Sequence, residues 1–246
     1  MEVPGSQGIL PELKAHCMLI SMAVKSNGNC YLCGANLGKT AMKNHLFKAH
    51  NEGTSGQECR LLKIEGTYNK EYWLFIDVPV EKTLQAVDTF LRKIWLECCG
   101  HLSEFYINEP AAMGHYRHHQ IKAVLQLGTL TNGDKFSHAY DFGTTTETTI
   151  TVLGSIRRKS QKEIVRLLAR NDPPVFQCAD CGKPADNICA ICKYESDNPF
   201  LCEECSAEHE HEEMLLPVTN SPRMGECGYD GELDTFTFDP ASILKH

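Results

Sequence analysis

The chain has 246 residues, of which 42% are hydrophobic and 23% charged, and its formal net charge is −8 at pH 7. This composition supports a packed core and excludes a wholly disordered protein. The longest apolar run near the start, Cys17–Val24, is shorter than the roughly 20 residues of a membrane helix and lacks a basic leader. We therefore expect no membrane span and no signal peptide. The thirteen cysteines then indicate metal ligation in a reducing, cytoplasmic setting rather than disulfides.

Charge is distributed unevenly along the chain. Residues 25–50 hold four lysines and no acid, whereas residues 178–246 hold four basic and fifteen acidic residues, a net charge of −11. This indicates a basic N-terminal module and an acidic C-terminal module on either side of a nearly neutral centre. The predicted divisions are an N-terminal segment (1–27), a zinc finger (28–51), a core domain (60–174), a Cys/His-rich module (175–215) and a tail packing on the core (216–246).

The first module follows the pattern C-x2-C-x11-H-x4-H, formed by Cys30, Cys33, His45 and His50. A two-residue knuckle presents two thiolates from one turn, and a helix adds two histidines to complete the tetrahedron that zinc prefers. Three apolar residues lie where such a finger needs a small core: Leu37, Met42 and Leu46. A module of this size does not fold without its metal. The sequence therefore predicts a CCHH-type zinc finger.

Zinc binding by this finger does not by itself predict DNA reading. The helix positions that contact bases in DNA-reading fingers correspond here to Gly38, Ala41 and Asn44. Glycine and alanine offer no side-chain hydrogen bond, and only asparagine can address an adenine. Phosphate contacts without sequence preference are open to three lysines: Lys39, Lys43 and Lys48. If this finger contacts nucleic acid, we therefore expect it to do so without sequence-specific readout.

The central region predicts an α+β domain, which begins after a polar, glycine-containing linker at Asn51–Gln57. Thr83 is a candidate cap for a helix in which Leu84, Val87, Leu91, Ile94 and Trp95 share one face. Strand-like composition marks Tyr72–Val80, His101–Asn108, Lys135–Phe142 and Glu147–Leu153, and a further segment, Ile164–Arg170, is short and apolar. Asn171–Pro174 reads as the end of the domain.

The C-terminal region contains three C-x2-C pairs and two histidines. The eight residues are Cys178, Cys181, Cys189, Cys192, Cys202, Cys205, His209 and His211. They make two tetrahedral zinc sites, for about three zinc ions per chain with the finger. The twenty residues between Cys181 and Cys202 favour an interleaved pairing, with 178, 181, 202 and 205 on one ion, and a sequential pairing stays open. Sites with four protein ligands are structural, and the acidic surroundings suit protein contact better than nucleic acid.

The remaining chemistry-bearing residues give no catalytic signature. We interpret five cysteines as buried structural residues: Cys17, Cys59, Cys98, Cys99 and Cys227. The cluster His115, His118 and His119 reads as a solvated polar segment, with a weak metal site as the alternative if His115 and His119 share a helix face. Neither G-x-S-x-G nor a phosphate-binding loop is present, so we expect no enzymatic activity.

Several segments resemble the plasmid pRiA4b open-reading-frame-three-like family, also met as insertion-element passenger proteins. The resemblance rests on Tyr72–Val80, on residues 90–105 (FLRKIWLECCGHLSEF), on 136–152 with its Tyr-Asp-Phe-Gly at 140–143, on Leu167–Asn171, and on 220–229 (NSPRMGECGY). It covers roughly residues 60–232. It implies an α+β core with added Cys-rich modules and no assured reaction. Many relatives continue after Tyr-Asp-Phe-Gly with an acidic residue and then a tryptophan two positions on, where this chain has Thr144–Thr146.

These observations predict a non-enzymatic, cytoplasmic binding or adaptor protein with structural zinc ions and a protein partner. The alternative is a nucleic-acid-associated accessory protein of mobile-element origin that uses the basic finger. The mobile-element link supports that alternative by association alone.

Overall fold

The computed structural model describes residues 26–51, 53, 55–110, 115–159 and 162–243. Most of the predicted N-terminal segment 1–27, including Cys17 and the run Cys17–Val24, lies outside the described residues. Within the described part, no helix has the length and apolarity to cross a membrane.

The main body is a nine-stranded sheet in which all neighbouring strands are antiparallel. Its strands in chain order are β1 (Asn27–Cys30), β2 (Asn36–Gly38), β3 (Gln57–Gly66), β4 (Trp73–Pro79), β5 (Ser103–Pro110), β6 (Tyr116–Ile121), β7 (Lys135–Tyr140), β8 (Thr146–Arg158) and β9 (Arg166–Asn171). Their spatial order is β2-β1-β9-β4-β3-β8-β7-β5-β6. The helices that accompany this sheet are α1 (Lys39–Ala49) and α2 (Leu84–Leu91), the latter extended by a π-helical turn over Arg92–Leu96.

A second, three-stranded sheet belongs to the C-terminal region. Its strands are β10 (Asn187–Cys189), β11 (Phe200–Leu201) and β12 (Leu215–Pro217), in the order β11-β10-β12. Three short helices complete this region. Helix α3 (Cys192–Glu195) begins at the second cysteine pair, α4 (Glu203–Ser206) lies within the third pair, and α5 (Pro240–Ile243) lies in the C-terminal tail. The predicted α+β class is confirmed at this level, with strand as the dominant element.

The burial of strand β4 shows that both faces of the sheet are covered. All seven of its residues are buried, which an antiparallel strand with one solvated face does not show. Because side chains alternate, Leu74, Ile76 and Val78 contribute to one apolar cluster, whereas Trp73 and Phe75 contribute to the other. The sheet is therefore the middle layer of three.

The predicted amphipathic helix covers the first face. Leu84, Val87 and Leu91 of α2 and Ile94 and Trp95 of the π-helical turn are all fully buried in the cluster over this face. Thr83 occupies the cap position as expected, but its side chain makes no capping hydrogen bond. The apolar spacing thus located the helix and its buried face correctly.

The CCHH segment covers the second face and is part of the sheet. Strand β1 pairs with β9 through Gly28–Asn171, Asn29–Arg170 and Cys30–Ala169, and β2 pairs with β1. Met42 and Leu46 of α1 are fully buried against the cluster that includes Trp73 and Phe75. The prediction of a finger with a small core of its own is corrected here, because the apolar side of α1 packs on the main sheet.

An ion network lies under the same face. The Asp77 carboxylate of β4 is fully buried, and its Oδ1 lies 2.9 Å from Nη1 of Arg158, which is also buried. The second oxygen accepts from Nε of Arg166 at 3.0 Å and pairs with Nη2 of the same side chain at 2.5 Å. Two guanidinium groups thus compensate one carboxylate that has left water.

Most predicted strands are confirmed, with shifted bounds. The main omission was β3, a ten-residue strand starting at Gln57, where the sequence predicted the end of a linker and a core beginning at residue 60. The histidine-rich segment is also corrected. His118 and His119 lie in β6, a strand exposed along most of its length, so the shared helix face with His115 does not exist. His118 and His119 instead lie 3.2 Å from Glu104 and 3.3 Å from Glu109.

Candidate metal centres

The first centre forms where β1 ends and α1 approaches it. The turn after β1 closes through backbone hydrogen bonds from Gly34 to Cys30 (2.8 Å) and from Cys30 to Ala35 (2.9 Å). Gly34 has a φ of 76°, a conformation that glycine adopts without steric cost. This turn aims the thiols of Cys30 and Cys33 at the histidines of α1.

The four predicted ligands of this centre come together. Nε2 of His50 lies 3.5 Å from the Cys30 thiol and 3.3 Å from the Cys33 thiol. Nε2 of His45 lies 3.2 Å from the Cys33 thiol and 3.1 Å from Nε2 of His50. All four donor atoms lie within 4.8 Å of one another, so they could hold a metal ion.

Burial shifts the pKa values of two side chains in this group, Cys30 and His50. Burial raises the pKa of the Cys30 thiol to about 11, and burial followed by repulsion from His45 lowers the pKa of His50. A neutral imidazole is the form that ligates a metal, whereas a thiol must lose its proton to do so. A cation in this group would therefore displace a proton from Cys30.

The C-terminal region contains two further groups, and the structure brings their members together in the interleaved combination. One group consists of Cys178, Cys181, Cys202 and Cys205, and the other of Cys189, Cys192, His209 and His211. In the first, the thiols of Cys181 and Cys202 are 3.6 Å apart. In the second, the Cys192 thiol lies 3.4 Å from Nε2 of His209 and 3.8 Å from Nδ1 of His211.

The small sheet explains the interleaving. Strand β10 lies between β11 and β12, so the pair at 189 and 192 meets the segment that contains His209 and His211. The pair at 202 and 205 begins directly after β11, and the backbone N–H of Ala179 donates to the carbonyl of Phe200 at 2.8 Å. Each of the two groups therefore joins distant parts of the module.

Backbone hydrogen bonds favour a thiolate in the four-cysteine group. Such bonds, with that of Cys202 foremost, lower the pKa of Cys178 to about 6. The pKa of Cys205 is raised, first through its hydrogen bond with Cys202. Within this group the pKa of one thiol is thus lowered and that of a neighbour raised.

A fourth group was missed by the sequence interpretation. Cys98, Cys99, His101 and Cys227 also place their donor atoms within 4.8 Å of one another. We predicted all these cysteines to be buried, but Cys99 and Cys227 are exposed and Cys98 is half-buried. Of the leftover cysteines within the described residues, Cys59 alone is fully buried as predicted.

A polar network lies between α2 and strands β5 and β7. The Asp88 carboxylate accepts from Ser103 at 2.6 Å, lies 2.9 Å from Nε2 of the buried His138, and pairs with Arg92 at 2.9 Å. Burial raises the pKa of Asp88, but hydrogen bonds, that with His138 first, outweigh it and leave the pKa well below its ordinary value. Ser103 hydrogen-bonds directly to the carboxylate, so it is not arranged as a nucleophile beside a histidine base.

The basic surface of α1 is smaller than its sequence indicates. Lys39 is engaged in the protein, with Nζ 2.5 Å from Glu65 and donating to the carbonyl of Lys70 at 2.9 Å. Burial raises the pKa of Glu65, but its bonds to Lys39 and Lys63 outweigh this and lower it. Lys43 and Lys48 are exposed, as are Ala41 and Asn44 among the predicted reading positions, whereas Gly38 is partly covered.

Comparisons with known proteins identify no family. No family model matches the chain, and no curated protein matches it. A solved protein of unknown function from Methanosarcina mazei Go1 is similar over 52% of this chain and 76% of its own, at 16% identity and a TM-score of 0.38. At that TM-score the likeness carries no argument, and the family resemblance of the sequence stays a prediction.

Proposed function

We propose that this protein is a non-enzymatic binding or adaptor protein in which three zinc ions are structural. The observation that carries the proposal is the convergence of three predicted Cys/His groups, each with four donors. A tetrahedral zinc with bonds of about 2.3 Å to sulfur and about 2.0 Å to nitrogen separates its ligand atoms by about 3.3–3.8 Å. Four of the distances within these groups, 3.4–3.8 Å, fall in that range, and the two that involve His45, 3.1 and 3.2 Å, lie just below it.

Four protein donors leave zinc no open position for water or substrate. A closed ion contributes folding energy, and here each ion would fix a small unit to its surroundings. The first would hold α1 against the sheet, and the other two would hold the three-stranded sheet together. This arrangement supports a scaffold that presents surfaces, and it gives the metals no catalytic role.

The partner surface that we propose is the acidic face of the C-terminal module. Six glutamates of this face are exposed: Glu203, Glu204, Glu208, Glu210, Glu212 and Glu213. Glu204 is paired with Lys183 at 2.6 Å. A face of this charge repels nucleic-acid phosphates and attracts a basic protein surface.

Cobalt substitution tests whether the ions are structural. The Co²⁺-loaded protein should show the absorption of tetrahedral thiolate-ligated cobalt, and azide should leave the spectrum unchanged because no ligand position is free. A spectrum that shifts with added anion would reveal an open metal and contradict the closed, non-catalytic assignment. Fewer than three ions per folded chain would contradict the architecture.

Cross-linking in the source cells tests the acidic face. The triple variant Glu208→Lys/Glu210→Lys/Glu212→Lys should lose the cross-links formed by the wild-type module. The matched control replaces the same three residues by glutamine, which removes charge without reversing it and should retain more of the cross-links. An identical cross-link pattern in the lysine variant would contradict the proposed partner surface.

A second candidate function is nucleic-acid contact through α1. The observation that favours it is that Lys43, Asn44 and Lys48 are all exposed on one short helix. Lys39, however, is engaged by Glu65, so two free lysines support this function rather than three. Such a surface would bind phosphates without reading sequence.

Fluorescence anisotropy with short DNA and RNA across a salt series tests this candidate. Lys43→Ala/Lys48→Ala should weaken binding and reduce the slope of log K against log salt by about two. The control is Lys122→Ala/Lys135→Ala, which removes two exposed lysines elsewhere. Equal effects of the two double variants, or no binding at low salt, would contradict the candidate.

A further inference from the structure

A cluster of three thiols and one imidazole lies where the core meets the segment after the C-terminal module. Its members are Cys98, Cys99, His101 and Cys227, and their donor atoms all lie within 4.8 Å of one another. Nε2 of His101 is 3.2 Å from the Cys227 thiol, although the two residues are 126 positions apart in the chain. None of these cysteines forms a disulfide.

The first three members share a tight turn after the π-helical segment. The chain bends at Cys98 and Cys99, Gly100 then has a φ of 73°, and its N–H donates to Oε1 of Glu97 at 2.5 Å. The spacing Cys98-x2-His101 is that of a metal knuckle with a histidine in place of the second cysteine. The turn therefore aims several donors toward one point.

The core holds this turn rigidly. Nη2 of Arg92 donates to the carbonyl of His101 at 2.8 Å, and the His101 N–H donates to the hydroxyl of Tyr140 at 3.3 Å. That hydroxyl in turn donates to Oε1 of Glu97 at 2.9 Å. Donors whose backbone is fixed in this way are ready for a ligand without further ordering.

A buried arginine anchors the opposite side of the cluster. Arg223 has no exposed surface, and its Nη2 contacts Asp141 at 2.8 Å and donates to the Cys98 sulfur at 3.3 Å. Its Nη1 donates to Thr146 at 3.0 Å. Hydrogen bonds of this kind, which orient ligand atoms from a second layer of side chains, are typical of metal sites.

Cys227 completes the cluster in a conformation that its own side chain does not favour. Its φ is 46°, in the left-handed region, between Gly225 and Gly228 with φ of 76° and 68°. A cysteine pays a steric cost there that glycine does not. This unfavourable backbone conformation occurs at the residue whose thiol lies next to His101.

The other interpretations of the cluster account for less of it. Buried structural cysteines do not describe Cys99 and Cys227, which are exposed. A nucleophile with a base needs one thiol and one imidazole and leaves two converging thiols unexplained. Asp141 is not a further ligand, because its carboxylate is occupied by Arg223, the N–H of Gly143 and the hydroxyl of Thr144.

We propose that Cys98, Cys99, His101 and Cys227 form a fourth metal site, which takes a thiophilic divalent cation of the zinc class. Three thiolates and one imidazole make a closed tetrahedral set. The ion would join the end of the core helix to the segment that follows the C-terminal module. It is independent of the other three groups, since it shares no ligand with them.

Native mass spectrometry of the full chain, reduced and loaded with a tenfold excess of Zn²⁺, counts the ions. The wild type should carry four, and Cys227→Ser and His101→Ala should each carry three. The control Cys59→Ser replaces a buried thiol that lies outside all four groups and should keep four. Three ions in both the wild type and Cys227→Ser would overturn the proposal while leaving the three predicted sites intact.

A second variant separates metal binding from a purely structural role. Cys227→Gly relieves the left-handed backbone, so without a metal at this cluster it should leave thermal stability unchanged or raise it. With the site in place it should lose one ion and unfold at a lower temperature in zinc than the wild type. An unchanged ion count in a folded Cys227→Gly protein would overturn the proposal.

Discussion

Gly28 is the position at which a single methyl group should separate the CCHH segment from the sheet. A Cβ built on Gly28 would lie 2.1 Å from the carbonyl oxygen of Arg170 and 2.6 Å from Cη2 of Trp73. Separations below 3.0 Å are essentially never adopted by real Cβ atoms, and the nearer atom is backbone that cannot rotate away. In Gly28→Ala, β1 must therefore move away from β9 by about 1 Å.

The change in the free energy of unfolding can be worked out from the contacts that this movement disturbs. Overpacking costs about 1–3 kcal/mol, and each backbone hydrogen bond weakened along the short β1–β9 pairing costs about 1 kcal/mol more. The lower chain entropy of unfolded alanine returns about 0.4–1 kcal/mol. We expect a net loss of about 2–4 kcal/mol, or about 4–16 °C in Tm for a chain of this size.

Thermal unfolding and hydrogen exchange measure the effect. Amide protection should fall in β1, β2 and α1 before it falls in β3 and β8, which do not pair with β1. The control is Gly38→Ala, whose methyl would meet nothing closer than Oδ1 of Asn27 at 3.5 Å. A Gly28→Ala protein with wild-type stability and unchanged protection in α1 would refute the inference that the β1–β9 pairing attaches the CCHH segment to the sheet.

Three further expectations concern buried charge, pH and metal. Asp77→Asn should cost about 3–5 kcal/mol in denaturant unfolding, because it leaves the buried Arg158 without its full counter-charge, whereas a loss below 1 kcal/mol would contradict this. The lowered pKa of Asp88, maintained against burial by His138, contributes stability above its unfolded value near 3.8 that is lost as the pH falls through the folded value. Acid unfolding should therefore be less steep in Asp88→Asn than in the wild type, and equal pH profiles would refute the assignment. Chelation of zinc should lower the Tm and abolish protection in β10–β12, and Cys202→Ser should reproduce this locally; a chelated protein with unchanged protection would contradict structural metals.

Helix α2 and the C-x2-C pairs were predictable because their signals are local. Apolar residues at helical spacing identify the buried side of α2 whatever it packs on. A C-x2-C pair places two thiols on one turn, so each pair can be recognised in the sequence without knowledge of the fold. Strands β4, β5, β7 and β8 were equally recognisable from composition, whereas β3 and β6 were not predicted.

The cluster around Cys227 was not predictable from spacing. Its thiol meets His101 because Arg223 and Ser221 attach the C-terminal segment to the core, and the hydroxyl of Ser221 donates to the carbonyl of Trp95 at 2.7 Å. The signal in the sequence was three unassigned cysteines with a histidine. Cys98 and Cys99 were interpreted as buried residues because the segment that precedes them is a core helix.

The sequence alone determined which residue types could ligate metal and which helix side is apolar, since both depend on spacings within a few residues. The tertiary structure decided what those features meet. Burial on both faces of β4 requires a second layer, and α1 supplies it through the pairing of β1 with β9. Which cysteine pairs share a group follows from the order of β10, β11 and β12. These are contacts between segments far apart in the chain, which the free energy of the whole packed molecule selects and no local pattern encodes.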